Sequence, residues 1–226
     1  MNGHYEQVKF ISFDSRMFGT IKPKDDYQLI AMDAVASNQI VKLGGPAGSG
    51  KSYLSLGYLF HELEKGRIDK IIIFCNTVAT TGAAKLGFYP GSKDEKLLDS
   101  QIGNFLASKF GDKTMVEDLL DKGTLILLPM ADIRGYDTTG MHAGVYITEA
   151  QNMDIEMMRL ALQRIGEDSK CILDGDELAQ VDLGQYAGYN NGLRRMSQVF
   201  RGEDVYGEVI LPNIYRSKIA AIAQRM

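Results

Sequence analysis

The run Gly45-Pro46-Ala47-Gly48-Ser49-Gly50-Lys51-Ser52 matches G-x-x-x-x-G-K-[ST] at every fixed position. The chemistry this pattern serves is phosphate binding. Its glycines let successive backbone N–H groups turn inward around a β-phosphate and form an anion nest. Lys51 carries a positive charge to the β- and γ-phosphates, and the Ser52 hydroxyl is placed to ligate Mg²⁺. A helix opening at Lys51 adds its positive dipole end. The competing reading is a glycine-rich turn that merely contains Lys-Ser. The apolar run before the loop and the amphipathic stretch after it favour a nucleotide, because the motif then sits between a strand and a helix.

Hydrolysis needs a second acidic group at the end of another strand. Gly144-Val145-Tyr146-Ile147-Thr148-Glu149-Ala150-Gln151-Asn152 supplies one: an apolar run that ends in Glu149. A glutamate there is placed to position or polarise an attacking water. The residue before it is commonly the aspartate that organises Mg²⁺, and here it is Thr148. Threonine accepts a hydrogen bond from a metal-bound water but brings no charge. Weaker Mg²⁺ affinity or slower turnover is therefore expected, unless another acid such as Asp174 or Asp176 compensates.

These residues require strands to carry them. Short runs rich in Ile, Val and Leu recur at Ile40–Leu43, Lys70–Cys75, Thr124–Leu128, Gly144–Ile147, Cys171–Leu173 and Glu208–Leu211. All are too short for helices and read as strands covered on both faces. Helical spacing links Tyr27, Ile30, Ala31 and Ala34, and again Leu56, Leu59, Phe60 and Leu63, with Gly66 as a cap. Further helices are expected over Asp154–Arg164 and Ile219–Arg225. Strands alternating with helices predict an α/β fold with a mainly parallel sheet flanked by helices. Residues 1–23 read as an extended lead-in and 24–226 as one domain, with a helical insertion at about 92–118.

The chain has 226 residues, 25 of them basic and 29 acidic, for a net charge of −4. Nucleic-acid binding through bulk positive charge is excluded, though a local basic groove is not. Cys75 and Cys171 lack metal-ligand spacing and read as buried thiols in a reducing compartment, and His4, His61 and His142 are scattered. No run approaches the roughly 20 apolar residues of a membrane span, and no secretory leader is visible. The expectation is a cytoplasmic protein.

The joint order of motifs is more specific than the P-loop. GPAGSGKS is followed by Leu86–Gly91 (LGFYPG), Met130–Gly135 (MADIRG), Thr148–Asn152 (TEAQN) and Asp174–Leu183 (DGDELAQVDL). From about Gln28 onward the chain resembles PhoH-like proteins, P-loop ATPases related to the motor core of superfamily 1 helicases. The resemblance implies a RecA-like P-loop NTPase core, ATP and Mg²⁺ as ligands, and ATP hydrolysis. It implies that Gln28 reads adenine and that Gln180 senses the γ-phosphate. Arg216, or alternatively Arg134, would stabilise charge on the transferring phosphoryl group. The chain departs from the family at Thr148, where aspartate is usual, and at Tyr136-Asp137-Thr138-Thr139, where the family usually continues Arg-Thr after Arg134-Gly135.

Helicases of this kind place nucleotide between two motor domains. With room for one, the arginine must come from the same domain or from a neighbouring subunit, which suggests a homo-oligomer such as a ring. RNA or single-stranded DNA is the effector by analogy. Arg194, Arg195, Arg201 and Lys218, with Tyr186, Tyr189 and Tyr206, are the residues that could contact it, against the alternative of a solvated surface. Two other functions stay open: a nucleotide-binding module without turnover, and a small-molecule P-loop kinase.

Overall fold

The computed structural model describes residues 11–75, 101–176 and 188–216, with Ile219 and Ile222 beyond them. Gln180, the LGFYPG run, Tyr186 and Lys218 lie outside the described residues, as does most of the expected C-terminal helix.

A six-stranded sheet holds β3 (Ile40–Gly44), β4 (Lys70–Cys75), β5 (Leu125–Pro129), β6 (Ala143–Thr148), β7 (Lys170–Gly175) and β8 (Tyr206–Ile210). Their order is β5-β4-β6-β7-β3-β8, and every neighbouring pair is parallel. All six apolar runs have become these strands. Successive side chains enter two cores, as a strand covered on both faces requires. Ile71 and Ile73 face one cluster with Val41, Leu43, Tyr146 and Ile172; Ile72 and Phe74 face the other with Val145, Ile147, Cys171 and Leu173. Both cysteines are free and buried, and burial pushes the Cys171 thiol up to about 12.

Helices cover the two faces: α1 (Asp26–Ser37), α2 (Lys51–Glu64), α3 (Gln101–Phe110), α4 (Lys113–Asp121), α5 (Ile155–Leu162) and α6 (Gly192–Phe200). Helix α2 ends where expected. Gly66 adopts φ +67°, its N–H donates to the Leu63 carbonyl, and Arg67 N–H donates to the Glu62 carbonyl. Helix α1 forms over the expected residues but presents a different face. Tyr27 and Ile30 are 49% and 56% exposed, and the buried stripe is Gln28, Ala31, Met32 and Val35. The physical reason is polar: Gln28 is held beneath the phosphate-binding loop, which rolls the helix by one residue.

The connection from β3 through α2 to β4 passes over β7 and β6. The carboxyl ends of β3, β7 and β6 therefore flank the point where the chain changes direction, the usual place for a ligand in an open α/β sheet. The strand that leads into Glu149 is separated from the P-loop strand by β7.

Before the sheet, β1 (Phe13–Ser15) and β2 (Gly19–Ile21) form an antiparallel hairpin packed on α2. Its turn is held by Glu64. The carboxylate accepts from Ser15 Oγ at 2.6 Å, Arg16 N at 2.7 Å and Met17 N at 3.2 Å. Burial raises the Glu64 pKa, but these bonds and the Arg16 charge outweigh it, and the net shift is downward from 4.5. A lowered carboxyl contributes stability that is present above the unfolded pKa and lost as pH falls through the folded one. Glu64→Gln is expected to be less stable than the parent at neutral pH and to show a flatter loss below about pH 4.5, as read by urea unfolding across an acid series.

Candidate nucleotide-binding site

The P-loop runs from the end of β3 into α2. Gly48 and Gly50 have φ +86° and +101°, conformations that L side chains rarely adopt. Gly50 is the N-cap of α2 and no side chain caps the helix, so its first N–H groups stay open to an anion. Lys51 Nζ donates to the carbonyls of Gly45 at 2.6 Å and Pro46 at 3.0 Å, which holds the ammonium against the loop. The buried Oγ of Ser49 has no hydrogen-bond partner among the described residues. Open helix N–H groups, a lysine at the loop and an orphaned hydroxyl form a donor set that suits a polyphosphate.

Three segments brace the loop. Gln28, 3% exposed, donates through Nε2 to the Ser49 carbonyl at 3.0 Å and accepts from Lys24 N through Oε1 at 3.0 Å. Gly45 N–H donates to the Gly175 carbonyl at 3.2 Å, which ties the loop to β7. The segment after β8 closes the third side, with Leu211 N–H donating to Gly44 O and Tyr215 N–H to Gly48 O, each at 2.9 Å. Tyr215 Oη and Asn213 Nδ2 both donate to Asp25, the N-cap of α1. This path sets Arg216 over the loop: a Cβ added to Gly48 would lie 2.7 Å from Arg216 Cγ and 3.2 Å from its Nε.

Asp174, at the end of β7, joins the loop to the second acidic site. Its Oδ2 accepts from Ser52 Oγ at 3.0 Å and from the Tyr146 hydroxyl, and its Oδ1 accepts from Glu149 N at 3.1 Å. Burial drives the Tyr146 phenol well above its ordinary value, the Asp174 charge drives it further, and hydrogen bonds with Ser52 and Thr148 oppose them. Tyr146 therefore stays a neutral donor. Glu149 is the one non-glycine among the described residues with positive φ, at 53°. Strain of this kind costs about 1–3 kcal/mol and gathers at functional sites. Its Oε2 accepts from Gln151 Nε2 at 2.6 Å, and Gln151 Oε1 accepts from Asp176 N at 3.3 Å.

The structure thus brings together Gln28, Gly45–Ser52, Thr148, Glu149 and Arg216. Arg134 starts farther from the P-loop strand than these residues do. That residue is exposed in the 3₁₀ turn Met130–Gly135 after β5, and β5 is the edge strand four places from β3, roughly 19 Å at ordinary strand spacing. Of the residues considered for nucleic acid, Tyr189 is fully exposed, whereas Tyr206 donates to Glu208 at 3.2 Å and Arg201 pairs with Glu208 at 3.3 Å. Tyr146 and Gln151 were missed because their apolar or motif neighbours hid them. Tyr146 reads as a strand residue, and only its phenol at a strand end signalled a polar partner. Tyr146→Phe is expected to cost about 1.5–3 kcal/mol by leaving a buried carboxylate one donor short, measured as a lower urea midpoint at unchanged slope.

A family model described as "PhoH-like protein" matches residues 20–224. A PhoH-like protein of Mycobacterium tuberculosis is 33% identical over 206 residues, covering 89% of this chain and 56% of that one. Protein PhoH2 of Thermobispora bispora is 31% identical over 228 residues, covering 98% and 50%. The chain therefore spans about half the length of the curated relatives it matches. Among solved structures, it is similar to a Sulfolobus solfataricus SWI2/SNF2 ATPase core in complex with dsDNA (TM-score 0.44, 13% identity, 82% and 44% coverage). It is also similar to the DUF1998 helicase MrfA bound to DNA (TM-score 0.46, 10% identity, 86% and 28% coverage). With the P-loop, the Glu149 strand end and the parallel sheet all present, the chain belongs to the PhoH-like family of P-loop proteins.

Proposed function

We propose that this chain binds ATP with Mg²⁺ at the P-loop and hydrolyses it. One observation carries the reading: a single buried carboxylate, Asp174, touches both the P-loop hydroxyl of Ser52 and the backbone of Glu149. The phosphate cradle and the water-positioning glutamate are thereby held in one frame, as phosphoryl transfer to water requires. The nest and Lys51 hold the phosphates. Ser52 is the residue placed to ligate Mg²⁺, with Thr148 beside it; a bound Mg²⁺ would neutralise phosphate charge. Glu149 orients the water, and its bond from Gln151 fixes the carboxylate. Arg216 is the arginine already at the loop. Gln180 keeps the γ-phosphate role that the resemblance implies. For Gln28, contact with adenine would require its amide to release Ser49 and Lys24; its present bonds support a bracing role.

Arg216 reaches the P-loop within one chain, so an oligomer is not needed to supply an arginine. A homo-oligomer, including a ring, would be needed to bring Arg134 to a phosphate, and light scattering with and without nucleotide distinguishes the two. Coupling to RNA or single-stranded DNA is the less direct part of the proposal. It is supported by the exposed Tyr189 ring preceding α6, which carries Arg194 and Arg195. Two buried free thiols suit a cytoplasmic setting, and no helix among the described residues is long and apolar enough to cross a membrane. The second reading, a nucleotide-binding module with little turnover, is favoured by Thr148. The kinase reading is weakened by the strand between β3 and β6.

Phosphate release from Mg·ATP, with and without single-stranded RNA, is the test. Lys51→Ala is expected to abolish turnover. Glu149→Gln is expected to retain ATP binding and lose hydrolysis by about 10²–10⁴-fold. Parental turnover in Glu149→Gln would remove the water-positioning role, and binding without turnover in the parent would establish the second reading.

A further inference from the structure

Position 148 ends β6 with a hydroxyl where a carboxylate is usual, yet the site does contain a carboxylate. Strands β6 and β7 are paired in parallel as far as Ile147 and Leu173. The next residue on each is Thr148 and Asp174, so the two positions are neighbours across adjacent strands, about 4.8 Å apart. Asp174 is 2% exposed, and its Oδ2 lies 3.0 Å from Ser52 Oγ. Thr148 belongs to the same polar group through Tyr146, whose hydroxyl bonds Asp174 and lies within hydrogen-bond reach of Thr148 and Ser52.

The geometry points to Asp174, at the end of β7 and one strand across from Thr148, as the magnesium-organising carboxylate of this site. This assignment rests on the Mg·ATP-binding reading above. Asp174 acts as a positioning residue. By accepting the hydrogen bond of the Ser52 hydroxyl it leaves the lone pairs of that oxygen directed away from β7 and toward the cradle. It also supplies the negative charge that Thr148 lacks. Through Oδ1 it holds the Glu149 N–H, so the residue that orders the metal side also fixes the backbone of the water-positioning residue. Tyr146 fills the second acceptor direction of Oδ2, beside Ser52, so the buried carboxyl is held by three donors.

The test is binding of a fluorescent ATP analogue, in excess Mg²⁺ and in EDTA, with the metal affinity of the nucleotide complex taken from a Mg²⁺ titration. Asp174→Asn is expected to lower that metal affinity about 10–100-fold, the usual cost of removing an outer partner of a metal ligand, with metal-free nucleotide binding unchanged. The exchange Thr148→Asp with Asp174→Thr is expected to restore it. Equal loss in Mg²⁺ and in EDTA would overturn the assignment, because the carboxylate would then be holding the loop alone. Parental metal affinity in Asp174→Asn would overturn it as well.

Should Asp174→Asn fail to fold, Thr148→Asp alone decides. With Asp174 already serving, a second carboxylate is expected to give no gain in metal affinity, and a tenfold or larger gain would show that the site lacked one. A parent that binds no nucleotide in either condition would instead sink the ATP-binding reading, an outcome separate from all of these.

Discussion

A carboxylate at 2% exposure is costly, and the centre of this molecule is arranged around meeting that cost. Removing an ion from water costs several kcal/mol even after relaxation, so Asp174 persists only because donors surround it. Those donors come from three elements: Ser52 from the first turn of α2, Tyr146 from β6 and the Glu149 N–H from the turn after β6. Their common acceptor fixes the phosphate loop relative to the strand end that carries Glu149. Glu149, whose N–H is held by Asp174, is also the residue with the left-handed backbone at φ 53°.

A second set of bonds holds the loop from outside. The amide of Gln28, the carbonyl of Gly175 and the N–H of Tyr215 reach it from α1, β7 and the segment after β8. Asp25 links the first and last of these, since it caps α1 and also accepts from Asn213 and Tyr215. The loop is therefore braced by residues nearly two hundred positions apart. Glycines are required where this bracing is tight: a side chain at Gly45 would strike the Leu211 carbonyl, and one at Gly48 would displace Arg216. The freedom these glycines give the backbone is what allows an anion nest and a close cover to coexist.

This arrangement also bears on how a phosphate ligand would enter the loop. Lys51 is bonded to carbonyls of its own loop, and Gln28 to a third, so ligand phosphates would compete with bonds already made. Arg216 needs no partner subunit to reach the loop, whereas Arg134 follows the edge strand β5, four places from β3. The division between what one chain completes and what a neighbour could add thus follows from strand order.

The sequence by itself determined the P-loop, the six strands and the Glu149 strand end, because these depend on short-range pattern: glycine and lysine spacing, and runs of Ile, Val and Leu too short for helices. It also marked Thr148 as a departure and named Asp174 among the acids that could compensate. Tertiary structure alone decided the rest. Hydrophobic spacing put Tyr27 and Ile30 on the buried face of α1, but the helix turned to bury Gln28, since a hydrogen bond to a distant loop outweighed the apolar stripe. Neither the proximity of Asp174 to Ser52, across 122 residues, nor the distance of Arg134 from the loop leaves a local trace. Both follow from the order of parallel strands, which is set by how helices pack on two faces at once and not by any segment alone.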